Sequence, residues 1–298
     1  MSAPPIVILN PFARSERAAI RVDELKRVAS RCMIKPTSGP GSAKAIAEEV
    51  VRAGGAIVVA AGGDGTINEV VNGIIGKNAA LGIIPMGTVN VLARELGIPL
   101  DVRGAWEVIE RGHAKSLDLV RVDFELDGRS QTRHAVQLAG IGLDAHIVKR
   151  VTWGEKKRWG PWSYVFQAFR SLAQSHSRVM IRMEEEGPLE GAFLLVGNGA
   201  LYGGPFSVFN KASMTDGLMD LCLFQSSGLA NLLIYLVAIA CGIQSKTRGI
   251  FYRQSRSFEV ISRGSVPIQI DGEFAGCLPA KFTVIPAALK VLVPSSTV

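Results

Sequence analysis

The sequence is short of several features that would each announce a function. It carries four cysteines and four histidines in 298 residues, and neither set has metal-ligand spacing. Cys32, Cys222, Cys241 and Cys277 lie far apart, which excludes a zinc module or a disulfide framework. They read as reduced, buried thiols of a cytosolic protein. His113, His134, His146 and His176 read as ordinary side chains. No apolar run reaches the ~20 residues that cross a bilayer. The longest, Leu229 to Cys241, is broken by Asn231. Met1 to Leu9 lacks the basic-then-apolar pattern of a secretory signal, so a cytoplasmic location is expected. There is no Gly-x-Ser-x-Gly elbow and no Lys-Ser/Thr pair closing a Walker-type loop. Internal repeats and linkers rich in Pro or Ser are also missing.

What is present describes a well-cored globular chain. It is 48% hydrophobic and 20% charged, long enough for two domains. A net charge of +7 suits anionic partners such as nucleotides or an anionic membrane surface. The excess is too diffuse for nucleic acid. Its densest part, Lys149-Arg150 and Lys156-Lys157-Arg158, is interleaved with Trp153, Trp159, Trp162 and Tyr164. That mixture suits an interfacial contact, or a solvated loop with one or two tryptophans folded inward.

The most informative run is Gly62-Gly63-Asp64-Gly65-Thr66. It follows Ala56 to Ala61, an apolar strand, and precedes Ile67 to Ile75, whose apolar spacing is helical. A strand, a glycine loop and a helix start bring backbone N–H groups and a positive helix end to one place, which suits a phosphate. Asp64 inside such a loop is suited to Mg²⁺ or the transferred phosphate. The plainer reading is a capping box, Thr66 with Glu69, that merely starts the helix.

The first ~120 residues alternate strands (Ile6 to Leu9, Met33 to Lys35, Ala56 to Ala61, Leu81 to Pro85) with helices (Arg17 to Ser30, Ala43 to Ala53, after Thr66, Val89 to Leu96). This predicts a three-layer α/β domain with a parallel sheet covered on both faces. Ligands of such sheets sit beyond the carboxyl ends of the strands, so Asn10-Pro11, the glycine loop and Pro85-Met86-Gly87-Thr88 are candidates for one site. After Leu117 short alternating strands with Gly/Pro turns predict a β-sandwich-like second domain. Helices are expected there at Pro161 to Ser175 and Gly228 to Gly242. The latter is apolar nearly all round and is expected to be buried; the alternative is an acyl-chain cleft or contact with a bilayer.

The glycine loop, Pro85-Met86-Gly87-Thr88-Val89-Asn90, Tyr202-Gly203-Gly204, Asp216 to Asp220 and Asp271-Gly272-Glu273 occur in this order. Together they resemble the diacylglycerol kinase catalytic-domain family, which includes soluble bacterial lipid kinases and the sphingosine and ceramide kinases. The resemblance runs from Asn10 past Glu273. It implies transfer of the γ-phosphoryl of ATP to a lipid hydroxyl with Mg²⁺. It also implies that residues 280–298 complete the nucleotide domain of 1–120, with 121–279 as the second domain. By resemblance, Asn10, Thr37, Gly62, Gly63, Asp64, Gly65, Thr66, Ile67, Asn68, Glu69 and Thr88 contact the nucleotide. Thr88 is also read as an N-cap of the helix that follows.

Asp271 and Glu273 resemble the family's catalytic pair, joined by Asp64. A carboxylate within hydrogen-bond reach can take the proton of an attacking hydroxyl. Glu273 is the preferred base and Asp271 the orienting or metal carboxylate. The plainer reading of Asp271-Gly272 is a hairpin turn. Asp216, with the carbonyls of Ser213 and Leu218, resembles a structural Mg²⁺ site, or else a turn cap. Asp118 resembles a family aspartate paired with basic residues, here Arg14 or Arg17. Where the family commonly has Asp after the Asn of Gly-Thr-x-Asn, this chain has Val91, a departure shared by some relatives.

The implied partner is a lipid substrate at the membrane surface, met by a peripheral protein without a transmembrane segment. A homodimer stays open. Diacylglycerol is the default acceptor, with phosphatidylglycerol and sphingoid bases as alternatives. An NAD kinase-like enzyme and an inactive nucleotide- and lipid-binding protein are the competing readings.

Overall fold

The computed structural model describes residues 4–11, 18–111, 113–150, 177–183, 187–204 and 206–295. The expected Pro161 to Ser175 helix, the Trp153 to Tyr164 segment, and Arg14 and Arg17 lie outside these. Two compact units divide the chain. One comprises Met1–Leu119, Gly203–Pro205 and Pro286–Val298; the other comprises Val120–Tyr202 and Phe206–Ile285.

In the first unit, strands β1 (Ile6–Leu9), β2 (Met33–Pro36), β3 (Ile57–Gly62) and β4 (Ala80–Pro85) alternate with helices α1 (Ala18–Val28), α2 (Ser42–Arg52) and α3 (Asp64–Ile74). The strands are all parallel, in the order β4-β3-β1-β2. β3 reads as an unbroken apolar run because Val58, Val59, Ala60 and Ala61 are all fully buried, alternate ones on opposite faces. α3 buries Ile67, Val70, Val71 and Ile74, the stripe its sequence spacing demands. A Cβ at Gly73 would lie 2.7 Å from the Lys44 carbonyl and 2.8 Å from the Ala47 Cβ, so glycine is what lets α2 and α3 meet this closely. Two further helices follow, α4 (Val91–Glu95) and α5 (Val102–Arg111). The strand-helix alternation read from the sequence passes over α5, which buries Val102, Ala105, Trp106, Val108 and Ile109.

β5 (Ala114–Leu126) begins in the first unit and enters the second at Val120. The second unit is built further on β6 (Arg129–Ala135), β7 (Leu138–Ile141), α6 (Leu143–Arg150), β8 (Val179–Arg182), β9 (Leu189–Gly191) and β10 (Phe193–Gly197). There follow β11 (Leu201–Tyr202), β12 (Phe206–Ser207), β13 (Met219–Phe224), α7 (Leu229–Ala240), β14 (Ile250–Ser255), β15 (Ser257–Ser262), β16 (Pro267–Ile270) and β17 (Glu273–Leu292). Antiparallel strands run β14-β13-β10-β7-β16-β17, with β15, β8 and β9 continuing from β17. Alternate residues Val120, Val122 and Phe124 of β5, Leu194 and Val196 of β10 and Leu221 and Leu223 of β13 enter one core. The intervening Phe193, Leu195, Cys222 and Phe224 enter a second core with Tyr235 and Ala238 of α7. β10 and β13 are therefore apolar on both faces. This is the β-sandwich-like architecture the period-two pattern anticipates. The last residues of β17 belong to the first unit, where Lys290 and Val291 pair in parallel with Ala80 and Leu81 of β4.

Two sequence expectations fail here. α7 is not buried: Leu233, Ile234, Leu236 and Val237 are 53–63% exposed. A helix apolar all round has only one face to give to a sheet, and among the described residues nothing in this unit covers the other. Among the cysteines only Cys222 is buried. Cys32 and Cys277 are partly exposed and Cys241 is exposed, all as free thiols.

Candidate functional site

In the first unit the carboxyl ends of β1, β2, β3 and β4 lie level, with Leu9 opposite Pro36 and Ala61, and Gly62 opposite Pro85. The ladder carries on one step, through Asn10 N–H to the Ala61 carbonyl (2.9 Å), Thr37 N–H to Leu9 (2.8 Å) and Met86 N–H to Gly62 (2.9 Å). Asn10, Thr37, the glycine loop and the Met86-Gly87 loop thus share one edge. The Asn10 amide donates to the Thr66 hydroxyl (3.0 Å), joining the first strand to the first turn of α3.

α3 begins at Asp64, with Gly63 at its cap and no side chain capping it. The N-terminal N–H groups of a helix left without a capping side chain suit an anion. The space in front is kept open by glycine. A Cβ at Gly87 would lie 2.6 Å from the Gly63 Cα, and a Cβ at Gly62 would lie 2.6 Å from the Thr66 side chain. The two loops touch backbone to backbone.

The capping box does not form. Thr66 sits inside the first turn, and Glu69 reaches instead to α2, accepting from Gly41 N–H (2.8 Å) and Ala43 N–H (3.0 Å). Nor does Thr88 cap a helix. α4 starts at Val91, its cap residue is Asn90 at φ 53°, and the Val91 N–H donates to Asp64 Oδ1 (2.7 Å). Asn90 braces the loop by accepting from Gly87 N–H (2.9 Å) and donating to the Gly87 carbonyl (3.0 Å). Asp64 therefore ties the glycine loop to α4. Burial raises its carboxyl above the usual range, while the backbone amides around Val91 pull it back. Thr88 is exposed and free to face a ligand, and Asn68 accepts from the Asn72 amide (3.2 Å). Ile67 is buried, packing rather than contacting solvent.

In the second unit Asp271 and Gly272, at φ 47° and 83°, form a two-residue turn between β16 and β17. The hairpin reading and the site reading meet in one feature. The Asp271 carboxylate accepts from Val136 (2.8 Å), Gln137 (3.0 Å) and Leu138 (2.9 Å) N–H groups. Three amides occupy it, so its work is to fix the turn. Glu273, next along, is exposed, and its carboxylate lies 3.9 Å from Arg133. Of the pair, Glu273 is the one that solvent and a reactant can reach.

A support for this turn was not read from the sequence. Gln269 accepts from Gly272 N–H (2.7 Å) and donates to Asp144 Oδ2 (2.6 Å), and Tyr202 donates to Asp144 Oδ1. Asp144 is buried and its carboxyl is raised by that burial, against the pull of the two hydrogen bonds. A Cβ at Gly140 would lie 1.8 Å from Asp144 Oδ2. Gln269 between apolar Ile268 and Ile270 in a buried strand was the available signal, since a buried polar side chain needs a partner.

Asp216 is exposed and accepts the Leu218 N–H (2.9 Å), while the Ser213 and Thr215 hydroxyls lie 3.2 Å apart. Among the described residues no three His, Cys, Asp or Glu side chains gather to hold a metal. Mg²⁺ keeps several waters and needs only one or two carboxylates, and the exposed carboxylate of Asp216 is a donor of that chemical type. Asp118 is buried and accepts Ala287 N–H (2.8 Å), fixing the last strand.

Comparisons with known proteins identify the family. The family model for the diacylglycerol kinase catalytic domain matches residues 4–122. The model for the YegS C-terminal NAD kinase beta sandwich-like domain matches residues 137–293, more than half of the chain. A diacylglycerol kinase of Staphylococcus aureus strain JH9 is 31% identical over 263 residues, 87% of this chain and 81% of the relative. The chain belongs to the diacylglycerol kinase family. A second family member, from S. aureus strain RF122, is 29% identical over 98% of this chain and 93% of its own length. The fold of the family is also seen in a candidate diacylglycerol kinase of Bacillus anthracis, with a TM-score of 0.82 at 22% identity over 99% and 96% of the two chains. A yeast NADH kinase solved with NADH has a TM-score of 0.56 at 11% identity over 99% and 84%. The diacylglycerol kinase family is one of lipid kinases, and its membership implies use of a nucleotide. Among the described residues no helix is long and apolar enough to cross a membrane.

Proposed function

We propose that this protein transfers the γ-phosphoryl of ATP to the hydroxyl of a membrane lipid, diacylglycerol in the first instance. The observation that carries this reading is the glycine edge. An uncapped helix start, two loops in backbone contact at Gly63 and Gly87, and Asn10 and Thr37 beside them make a cradle for a phosphate chain. In this reading Gly63, Gly65 and Thr66 offer backbone donors to the phosphates, Asn68 and Thr88 offer side chains, and Asp64 and Glu69 hold the cradle's shape. Mg²⁺, when bound with the nucleotide, neutralises charge on the phosphates. The carboxylate of Glu273 takes the proton of the lipid hydroxyl as its oxygen attacks the γ-phosphorus, and the bond to the β-bridging oxygen breaks to release ADP. Asp271 keeps the turn that carries Glu273. Asp216, with the Ser213 and Leu218 carbonyls, would hold a structural Mg²⁺ away from the reaction. The unit of Met1–Leu119, Gly203–Pro205 and Pro286–Val298 then serves as the nucleotide domain and that of Val120–Tyr202 and Phe206–Ile285 as the lipid domain, in a cytoplasmic protein that visits the membrane.

The test is incubation of purified protein with γ-labelled ATP, Mg²⁺ and mixed micelles of diacylglycerol, phosphatidylglycerol or sphingosine, with the lipids resolved afterwards. A labelled lipid that vanishes with Glu273→Ala supports the reading and names the acceptor. The likeness to the yeast NADH kinase favours one second reading, a dinucleotide acceptor. Label in NADP⁺ with NAD⁺ present, and none in any lipid, would favour it.

A further inference from the structure

α7 presents an apolar face that the described residues do not cover. Tyr235 and Ala238 are buried, with the Tyr235 ring 5.0 Å from that of Phe224, and Leu232 and Ile239 pack partly behind them. On the other side Leu233, Ile234, Leu236 and Val237 stand exposed, flanked by Leu229 and Ile243. Single exposed apolar residues need no explanation, but a contiguous group marks an interaction surface.

What lies around the patch indicates its partner. From Leu221 to Phe258 the chain has no Asp or Glu, while Lys246 and Arg248 follow α7 directly. Lys246 ends the short 3₁₀ turn just after α7. Arg248 lines an open cleft of about 350 Å³ together with Ile234, Tyr235, Asn231, Ser226 and Thr247. The cleft wall is fixed: the Asn231 amide donates to the Ser226 hydroxyl (3.0 Å), and the Thr247 hydroxyl donates to the Ile243 carbonyl (2.9 Å). Among the described residues no carboxylate forms an ion pair with Lys246 or Arg248. Glu190 is already paired with Arg178 (3.6 Å), and Asp220 is buried against the Tyr252 hydroxyl (2.5 Å).

We infer that this face docks on an anionic lipid bilayer. The exposed side chains of α7 enter the boundary between headgroups and acyl chains, and Arg248 in its cleft receives a lipid phosphate while Lys246 meets the same surface. A second copy of the chain is the poorer occupant. A two-fold contact sets the same patch on itself, which brings the basic rim against its own charge, whereas an anionic surface complements it. The inference rests on the lipid-kinase reading for its biological sense, but docking and turnover are measured separately.

The experiment is co-sedimentation with vesicles of phosphatidylcholine alone or with added phosphatidylglycerol, without nucleotide, for the wild type, Leu236→Ser/Val237→Ser and Arg248→Gln. Thermal unfolding checks that each variant is folded. The wild type is expected to sediment several-fold better with the anionic vesicles. The double variant is expected to lose about tenfold in partition, Arg248→Gln to lose the preference for phosphatidylglycerol, and both to keep the wild-type rate on micelle-dispersed lipid. Equal sedimentation by wild type and folded variants would overturn the assignment. So would a fall in oligomer mass in the double variant without vesicles, which would give the face to a second copy. Vesicle docking that depends on these residues, with no labelled lipid in any assay, would support docking and sink the kinase reading instead.

Discussion

At the scale of single residues, the carboxylates divide by what already occupies them. Asp64 accepts from the start of α4, so Asp64→Ala should cost about 1–2 kcal/mol of stability, as loss of a helix cap does. Asp64→Asn keeps the acceptor and should cost less than half of that; chemical denaturation of both variants checks it. Asp271 accepts from three backbone amides, while the carboxylate of Glu273 is exposed and lies 3.9 Å from Arg133. Asp271→Ala should therefore lose about 3 kcal/mol or more by stranding those amides. Glu273→Gln should unfold like the wild type and lose about 10²–10⁴ in turnover. Equal destabilisation by both would refute the division of labour.

Asp144 makes a pH-dependent prediction. Its carboxyl is raised by burial, so the native state holds a proton that the unfolded chain has already released. Its contribution to stability is whole below the ordinary aspartate range near ~4 and is lost as pH rises through the raised native value. Stability measured upward from that range should fall with a slope of at most about 1.4 kcal/mol per pH unit from this group. Asp144→Asn should flatten that part of the curve.

At the scale of elements, the sharpest constraint is the contact of two loops. A Cβ at Gly87 would lie 2.6 Å from the Gly63 Cα, and the obstacle is backbone that cannot rotate away. Gly87→Ala should cost about 1–3 kcal/mol and weaken nucleotide binding in a titration, while Gly76→Ala, with open space around its Cβ but φ 70°, should cost stability alone. The elements bearing the loops were legible because strand and helix periods differ and Gly and Pro punctuate them. Their hydrogen bonds were not. Asp64 and Val91 are 27 positions apart, and a capping box between Thr66 and Glu69 is the natural local guess. It failed because α3 starts two residues before Thr66 and Glu69 bonds to the start of the preceding helix, α2. The exposure of α7 was hidden for a different reason. Composition says how apolar a helix is but not how many of its sides the fold can cover.

At the scale of the whole molecule, the sequence changes from alternating helix and strand to short strands near residue 120; the compact units are Met1–Leu119 with Gly203–Pro205 and Pro286–Val298, and Val120–Tyr202 with Phe206–Ile285. That β17 runs from Glu273 to Leu292 and carries its last residues to β4 was beyond periodicity, because a strand's partner leaves no mark in the strand's own pattern. The partners within the Asp144-Gln269 network were hidden for the same reason, although Gln269 in an apolar strand signals that it needs one. Asp144 and Gln269 are 125 positions apart. The two halves of the account, a phosphate cradle and an exposed carboxylate on a braced turn, are joined most directly by one measurement. Label transfer from γ-labelled ATP to micellar diacylglycerol is compared between wild type and Glu273→Gln, with ATP affinity measured in parallel. The account predicts labelled phosphatidic acid from the wild type, a loss of about 10²–10⁴ in the variant, and equal ATP affinity in both. Transfer that survives the substitution, or wild-type protein that binds ATP and labels no lipid, would contradict it.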